Sequence, residues 1–107
     1  MAEDCVFCKI INGEFNTEFV LENEYAVVFN DIHPKAPVHM LVVPKMHVAS
    51  LNELDDEKLL GKLMMTVKEA AKKAGLKAYK THINTGKEAG QVVFHLHIHV
   101  LGNKEEN

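Results

Sequence analysis

A chain of 107 residues, 47% hydrophobic and 25% charged, has the size and composition of one ordinary globular domain. Its net charge of −3 argues against a general affinity for nucleic acid or for membranes. The sequence has no apolar run of about 20 residues and no signal peptide, so we expect one domain over residues 1–107, located in the cytosol.

The hydrophobic pattern, followed in chain order, begins with a short helix. Residues 5–12 (CVFCKIIN) place apolar side chains at helical spacing, and Gly13 would end this helix. Two β-rich runs on either side of ENE predict a hairpin, and the two prolines of DIHPKAP predict a loop after it. The predicted strands are residues 19–22, 26–30, 39–43, 79–84 and 93–101.

The clearest helix is predicted from Asp55 to Ala74. Asp55 or Asp56 would cap its start, and Gly75 stands where a helix often ends. Its apolar stripe recurs every four residues and consists of Leu59, Leu63, Val67 and Ala71, widened by Leu60, Met64 and Ala74. This order predicts an α+β fold with the long helix packed on an antiparallel sheet, and a polar, frayed end over residues 103–107.

Three histidines alternate with apolar residues in the last predicted strand, FHLHIHV. Alternate side chains of a strand share a face, so His95, His97 and His99 would point one way, spaced by about 6.6 Å. Such a row suits either a shared metal ion or phosphoryl chemistry, in which one ring attacks phosphorus while its neighbours hold the phosphate oxygens. The preceding loop TGKEAGQ favours a phosphate, because glycines let backbone N–H groups approach an anion.

The segment HLHIHVL resembles the signature of the histidine triad (HIT) family of nucleotide hydrolases and transferases. The segments FNDIHPKAPVH, LVVPK, LLGKLMMTVK and GQVVFHLHIHVLG resemble its Hint branch, and the likeness extends from Cys5 to Gly102. The resemblance implies a five-stranded antiparallel sheet in each subunit of a homodimer. It also implies that the helix at 55–74 and the strand at 79–84 form most of the dimer interface.

The resemblance further implies hydrolysis of a purine nucleoside phosphoramidate, in which a nucleoside monophosphate is bonded to an amine such as that of lysine. His97 matches the nucleophile, which would form a nucleotidyl-histidine intermediate that water then resolves. His95 and His99 match residues that contact the phosphate or the leaving group, and His39 matches a fourth histidine that supports them. No cofactor is required for this chemistry.

Two other functions stay open at this point. One is hydrolysis of dinucleoside polyphosphates, as in the fragile histidine triad branch. The other is a non-catalytic, zinc-containing protein that only binds a nucleotide. Turnover of an adenylyl phosphoramidate beside that of a diadenosine polyphosphate would separate the three functions.

A nucleotide pocket is also implied by the resemblance. Apolar residues would enclose the base, Asp31 would hold the ribose hydroxyls through charge-assisted hydrogen bonds, and the glycine loop would surround the phosphate. The matching positions are Phe7, Ile10, Phe15, Phe29 and Ile32 at the base, and Asn84, Gly90, Gln91 and Val93 at the phosphate. By residue type alone, the apolar members suit a protein core equally well, and Asp31 suits a turn.

Some positions depart from the Hint pattern. Val92 stands where that branch usually has a polar residue near the leaving group, and Asn30 replaces a histidine often found at the base pocket. The printed sequence also ends before the tryptophan-containing tail of typical Hint proteins. These departures leave the leaving group and the choice between adenine and guanine open. We expect His33 and His82 to be ordinary surface histidines.

Cys5 and Cys8 form a C-x-x-C pair, which in a reducing compartment indicates metal or redox chemistry. Related histidine triad proteins with this pair can bind zinc with two further histidines, and the matching positions here are His47 and His95. Two thiolates and two imidazoles would form a closed, structural zinc site. A His95 that ligates zinc would not be free to act as an acid at the leaving group.

Overall fold

The computed structural model describes residues 5–104, which form a five-stranded antiparallel sheet with a helix on each face. The helices and strands are α1 (Val6–Ile11), β1 (Leu21–Glu22), β2 (Ala26–Asn30), β3 (Val38–Pro44), α2 (Glu57–Lys73), β4 (Leu76–His82) and β5 (Ile98–Lys104). The strand order is β1-β2-β3-β5-β4, and all four neighbouring pairs are antiparallel. The predicted α+β fold with five strands, one long helix and a short N-terminal helix is confirmed.

Helix α2 covers one face of the sheet. Asp56 caps it by accepting a hydrogen bond from the Leu59 N–H at 3.1 Å, and Gly75 follows its end with φ +78°. Leu59, Leu63, Val67 and Ala71 of its predicted stripe are buried, Leu60 and Ala74 are partly buried, and Met64 is exposed. The stripe packs on alternate residues of the three central strands, namely Ala26, Val28, Met40, Val42, Ile98 and Val100.

The opposite face of the sheet carries a smaller apolar cluster and helix α1. Phe7 of α1 packs with Phe29, Val27, Leu41 and Val43, the residues of β2 and β3 that alternate with those under α2. The Cys5 sulfur caps α1 by accepting from the Cys8 N–H at 3.4 Å. This second face is the one on which the histidines lie.

The β1–β2 hairpin is confirmed, although β1 is shorter than predicted and begins at Leu21 instead of residue 19. Asn23 shapes the turn, because its Oδ1 accepts from the backbone N–H groups of Tyr25 and Ala26. Its Nδ2 donates to Thr66 Oγ1 at 3.0 Å, which ties the turn to α2.

The predicted start of the last strand at residue 93 is wrong, because β5 begins at Ile98. The register pairs Ile98 with Val42, so continued pairing would set Leu96 opposite Pro44, which has no N–H to donate. The chain leaves the ladder there, and the Leu96 N–H donates instead to the Val48 carbonyl at 2.7 Å. His95 and His97 therefore precede the strand, and His99 lies within it.

The predictions for β4 and for the chain end also need correction. Strand β4 begins at Leu76 instead of residue 79, directly after α2, and Leu76 is its one buried residue. An edge strand with a single buried residue has no alternating pattern to detect. Leu76 pairs with Lys104, so residues 103 and 104 belong to β5 and are not a frayed end; residues 105–107 lie outside the described range. Among the described residues, no helix is long and apolar enough to cross a membrane.

Candidate active site and metal centre

One ring nitrogen of His97 donates a hydrogen bond, and the other carries no proton. Its Nδ1 lies 2.8 Å from the His95 carbonyl oxygen, and since a carbonyl only accepts, Nδ1 carries the proton and Nε2 keeps its lone pair. Phe7 packs edge-on against the ring, with centroids 5.1 Å apart. Burial lowers the pKa of His97 below its ordinary value. The ring is therefore a neutral imidazole at neutral pH, the state required of a nucleophile.

His39 fixes the tautomer of His99 through a chain of hydrogen bonds. The Lys35 backbone N–H donates to His39 Nδ1 at 3.0 Å, so the His39 proton is on Nε2. That N–H donates to His99 Nδ1 at 2.9 Å, which leaves the His99 proton on Nε2. Asp31 Oδ2 lies 3.4 Å from His39 Nε2. Because burial lowers the pKa of His39, the Asp31 carboxylate faces a neutral ring.

His99 is the neighbour of His97 on this face, with ring centroids 5.1 Å apart. A second proton on its Nδ1 would oppose the N–H that His39 directs there. Burial, followed by positive charge on neighbouring histidines, lowers the pKa of His99 to about 4. His99 is therefore a neutral hydrogen-bond donor through Nε2–H, placed beside the free lone pair of His97.

His95 has different surroundings from the other two histidines of the row. Its Nε2 lies 2.8 Å from the Pro44 carbonyl oxygen, so the proton is on Nε2 and Nδ1 has the lone pair. Three atoms converge on this Nδ1: Cys5 Sγ at 3.3 Å, Cys8 Sγ at 3.5 Å and His47 Nδ1 at 3.2 Å. Cys8 Sγ also lies 3.2 Å from His47 Nδ1.

These four donor atoms fit a tetrahedral zinc ion. With Zn–N of about 2.0 Å and Zn–S of about 2.3 Å, neighbouring ligand atoms are about 3.3 Å (N to N) and 3.5 Å (N to S) apart. The distances from His95 Nδ1 and from Cys8 Sγ, 3.2 to 3.5 Å, are close to these values, and all four atoms lie within 4.8 Å of one another. A single lone pair on His95 cannot satisfy three partners, whereas one shared cation can.

The Cys8 thiol is protonated at neutral pH while no metal is bound. Burial and the neighbouring Cys5 thiol raise the pKa of Cys8 to about 11. Zinc ligates thiolates, so its binding here would release protons and become weaker as the pH falls.

The apolar residues expected at the base divide into two groups. Phe7, Phe29 and Ile10 belong to the cluster on the histidine face, and Phe7 connects that cluster to His97. Phe15 and Ile32 are exposed, by 55% and 85%, and stand outside the cluster. Large apolar side chains left exposed to water suit a surface that a ligand covers. Asn30, which ends β2, and Asp31, which is only partly exposed, directly precede Ile32 in the chain.

Gln91 organises the loop before the histidines. Its side chain is buried, with Oε1 accepting from the Gly86 N–H at 2.9 Å and Nε2 donating to the carbonyls of Ala49 and Val93 at 2.7 and 3.1 Å. We therefore assign Gln91 to the support of the loop, with its amide held by the protein itself.

The rest of the loop is bent and partly open. Gly90 has φ +97°, a conformation that side-chain-bearing residues rarely adopt, and Asn84 Nδ2 donates to the Ala89 carbonyl at 2.8 Å. Val93 packs against the Phe7 cluster, whereas Val92 is 84% exposed. The position that departs from the Hint pattern is thus presented to solvent.

His82 joins the site although no sequence signal predicted it. It pairs with His99 across the β4–β5 ladder, and the two rings are stacked with centroids 4.3 Å apart and planes at 17°. This contact depends on the register of two strands that are separated by residues 83–97. Alternation within one segment could not reveal it.

Comparison with known proteins defines the class of this fold and site. Residues 12–106 match the HIT domain family, and the chain belongs to that family. It is 48% identical to protein HitA of Neisseria gonorrhoeae over 103 residues, which covers 94% of this chain and 96% of HitA.

Solved structures of the family superpose closely on the chain. A HIT family hydrolase from Clostridium thermocellum has a TM-score of 0.91 at 38% identity, covering 100% of this chain and 96% of the other. A histidine triad protein from Clostridium difficile has a TM-score of 0.88 at 38% identity, covering 97% and 94%.

Proposed function

We propose that this protein hydrolyses purine nucleoside phosphoramidates through a covalent nucleotide on His97, as in the Hint branch. The observation that carries the proposal is the tautomer of His97, whose Nδ1–H is bonded to the His95 carbonyl and whose Nε2 is left as a neutral nucleophile. The HIT family hydrolases among the solved relatives support a hydrolytic function.

In the first step, the His97 Nε2 lone pair attacks the α-phosphorus and the phosphorus–nitrogen bond breaks. His99 carries a single ring proton, on Nε2. If His99 gave this proton away, His39 could not resupply it, because His39 Nδ1 already accepts a hydrogen bond from the Lys35 N–H and cannot take up a proton in exchange. We therefore assign His99 Nε2–H to a hydrogen bond with a phosphoryl oxygen, where negative charge increases in the transition state. The departing amine takes its proton from water.

In the second step, water attacks phosphorus and the bond to His97 Nε2 breaks. His97 leaves as neutral imidazole, the nucleoside monophosphate departs, and the proton lost by water goes to solvent. The lowered pKa of His97 assists this step, since a weakly basic imidazole is the better leaving group.

The nucleoside would lie against the Phe7 cluster, with Phe15 and Ile32 closing over the base. Asp31 is suited to the ribose because Oδ1 is held by the His33 N–H at 2.9 Å while the side chain stays partly exposed. Asn84, Gly90 and the backbone of the loop at 84–93 would face the phosphate.

The test is turnover of an adenylyl phosphoramidate by the wild type, by His97→Ala and by His33→Ala. We expect His97→Ala to lose about 10⁴-fold or more in kcat and His33→Ala, which removes an exposed histidine, to retain full activity. Undiminished turnover in His97→Ala would refute the proposal. Faster turnover of a diadenosine polyphosphate would indicate the fragile histidine triad activity, and binding without turnover would indicate a nucleotide-binding protein.

We also propose that Cys5, Cys8, His47 and His95 hold a structural zinc ion. When bound, zinc would act as a cross-link that joins α1 and the segment after β3 to the residue preceding the triad strand. This chain's residues perform the phosphoryl chemistry by themselves, and His95 contributes its carbonyl to His97. In this proposal His95 supports the nucleophile and does not protonate the leaving group.

A homodimer is the remaining part of the proposal. Edge strand β4 is exposed from Lys77 to His82, and α2 exposes the apolar side chains of Met64 and Met65. A second copy that covers the open strand edge and these methionines would remove both from solvent. Sedimentation at micromolar concentration should give twice the 12.0 kDa mass of the chain, and a 12 kDa species would contradict this. One domain over residues 1–107 and a cytosolic location, which suits the free thiols of Cys5 and Cys8, stay predictions.

A further inference from the structure

His82 lies at the last position of edge strand β4, directly opposite His99. In-register partners of an antiparallel pair share a face, so the His82 ring lies on the face that carries the active site. The two imidazoles are nearly parallel, with planes at 17° and centroids 4.3 Å apart. The mechanism above makes no use of this contact.

The other rings around His99 meet it at steep angles. His97 is inclined at 64° and His39 at 47°, so among the described residues only His82 presents a flat face to His99. A flat neighbour restricts rotation about χ2, the torsion that turns an imidazole within its site.

The plane of His99 matters because its two nitrogens have different tasks. Nδ1 must meet the His39 N–H at 2.9 Å, and Nε2–H must point to the phosphate. A half-turn of the ring would replace Nδ1 by a carbon and break the hydrogen bond that selects the tautomer.

We propose that His82 is a positioning residue for the reaction assigned above. The His82 ring stacks on His99 and keeps the Nε2–H of His99 directed at the phosphoryl oxygen. The predicted effect of His82 on catalysis rests on the proposed function, whereas its effect on the His99 ring does not. The orientation and tautomer of His99 are properties of the free protein.

Charge acts in the same direction as stacking. The titratable groups facing His99 are His39 from β3, His97 from the segment before β5, Asp31 from the loop after β2, and His82 from β4. Whenever one of the three histidines is protonated, its positive charge disfavours a second proton on His99, and the Asp31 carboxylate opposes this effect. Burial makes the largest contribution in lowering the pKa of His99.

The test compares His82→Ala, which removes the ring, with His82→Phe, which keeps a flat ring that cannot ionise. Long-range ¹H–¹⁵N NMR spectra report the tautomer of each histidine. We expect the wild type and His82→Phe to show His99 with its proton on Nε2. In His82→Ala the two nitrogen shifts should move toward an average and the pKa of His99 should rise. An unchanged Nε2–H tautomer and unchanged pKa in His82→Ala would overturn the proposal.

Activity gives a second readout. In His82→Ala we expect kcat to fall about tenfold with KM nearly unchanged, the acid limb of the pH profile to move to higher pH, and His82→Phe to recover most of the rate. Lys80→Ala is the matched control, because Lys80 is exposed on the same face of β4 two residues earlier, opposite Leu101. Equal losses in His82→Phe and His82→Ala would contradict a stacking role.

The two readouts also separate this inference from the proposed function. If His97→Ala retained turnover, the reaction would be wrong, yet the NMR spectra of His99 would still decide whether His82 positions that ring.

Discussion

The two faces of the sheet are built from the same strands but have different roles, one in stability and the other in the candidate active site. On the α2 face, alternate residues of β2, β3 and β5 are apolar and close into a dry core with Leu63 and Val67. On the α1 face, the residues between them include His39 and His99, and the Phe7 cluster shares the surface with the histidines. One face supplies stability, and the other carries polar groups whose positions that stability fixes.

The difference shows how a small protein keeps several imidazoles neutral and oriented. Burial lowers the pKa of His39, His97 and His99, and each has a defined hydrogen-bond acceptor or donor on Nδ1. Burying an imidazole, and above all a charged one, costs free energy. The apolar face must supply the free energy of folding that offsets this cost.

Leu63→Ala, on the dry face, should have the largest effect on stability. Leu63 is 1% exposed, and removing a buried leucine side chain costs about 2–5 kcal/mol of unfolding free energy. Chemical denaturation measures the loss, and kcat per folded molecule should stay within twofold of the wild type. A tenfold lower kcat in the folded fraction would show that the two faces are not separable.

Metal removal should have the next largest effect, and it acts on the histidine face. If zinc is bound at 100 times its dissociation constant, stripping it should lower the unfolding free energy by about 3 kcal/mol. Elemental analysis and thermal unfolding with and without chelator give the measurement. The Cys5→Ser/Cys8→Ser double variant is the control, since its stability should not respond to added zinc. Equal stabilisation of both proteins by zinc would place the metal elsewhere.

Gly102→Ala tests the link between β4 and the site. A Cβ at Gly102 would lie 2.9 Å from the Ala78 carbonyl oxygen and 3.1 Å from Tyr79 Cβ, so β4 would have to move away from β5. We expect a loss of about 1–3 kcal/mol and an altered His99 tautomer, as in His82→Ala. A normal His99 spectrum in a destabilised Gly102→Ala would indicate that β4 does not position the ring.

Acid should have the smallest effect. The pKa values of His39 and His99 are lowered on folding, so the unfolded chain takes up protons first as the pH falls below about 6.5. The contribution of these histidines to the free energy of unfolding is therefore fully present above pH 6.5. It is lost as the pH falls toward the folded pKa of His99, about 4. Urea midpoints of Cys5→Ser/Cys8→Ser between pH 7.5 and 5 avoid the metal contribution. Midpoints that stay constant over this range would contradict the lowered pKa values.

Much of the dry face could be predicted from local pattern. The stripe of α2, its cap at Asp56 and its stop at Gly75 follow from spacing and residue type. The apolar side of the histidine segment was also predicted correctly, since Leu96 and Ile98 lie in the core under α2.

The histidine face depends on contacts between distant segments, which local pattern does not contain. Pro44 ends the ladder and accepts from the His95 ring, so β5 begins later than its alternation suggests. His82 meets His99 only through the register of β4 with β5. The four candidate zinc ligands were matched by resemblance. That the His95 Nδ1 faces the thiols is apparent only from its hydrogen bonds.

The central claim is that His97 Nε2 takes the nucleotide covalently. The most direct test is intact mass after rapid, acid-free quenching with an adenylyl phosphoramidate, comparing the wild type with His97→Ala. We expect an adduct of one nucleoside monophosphate in the wild type, located on His97 by peptide mapping, and none in the variant. Turnover by the wild type with no adduct at any quench time, or an adduct that persists in His97→Ala, would contradict the account.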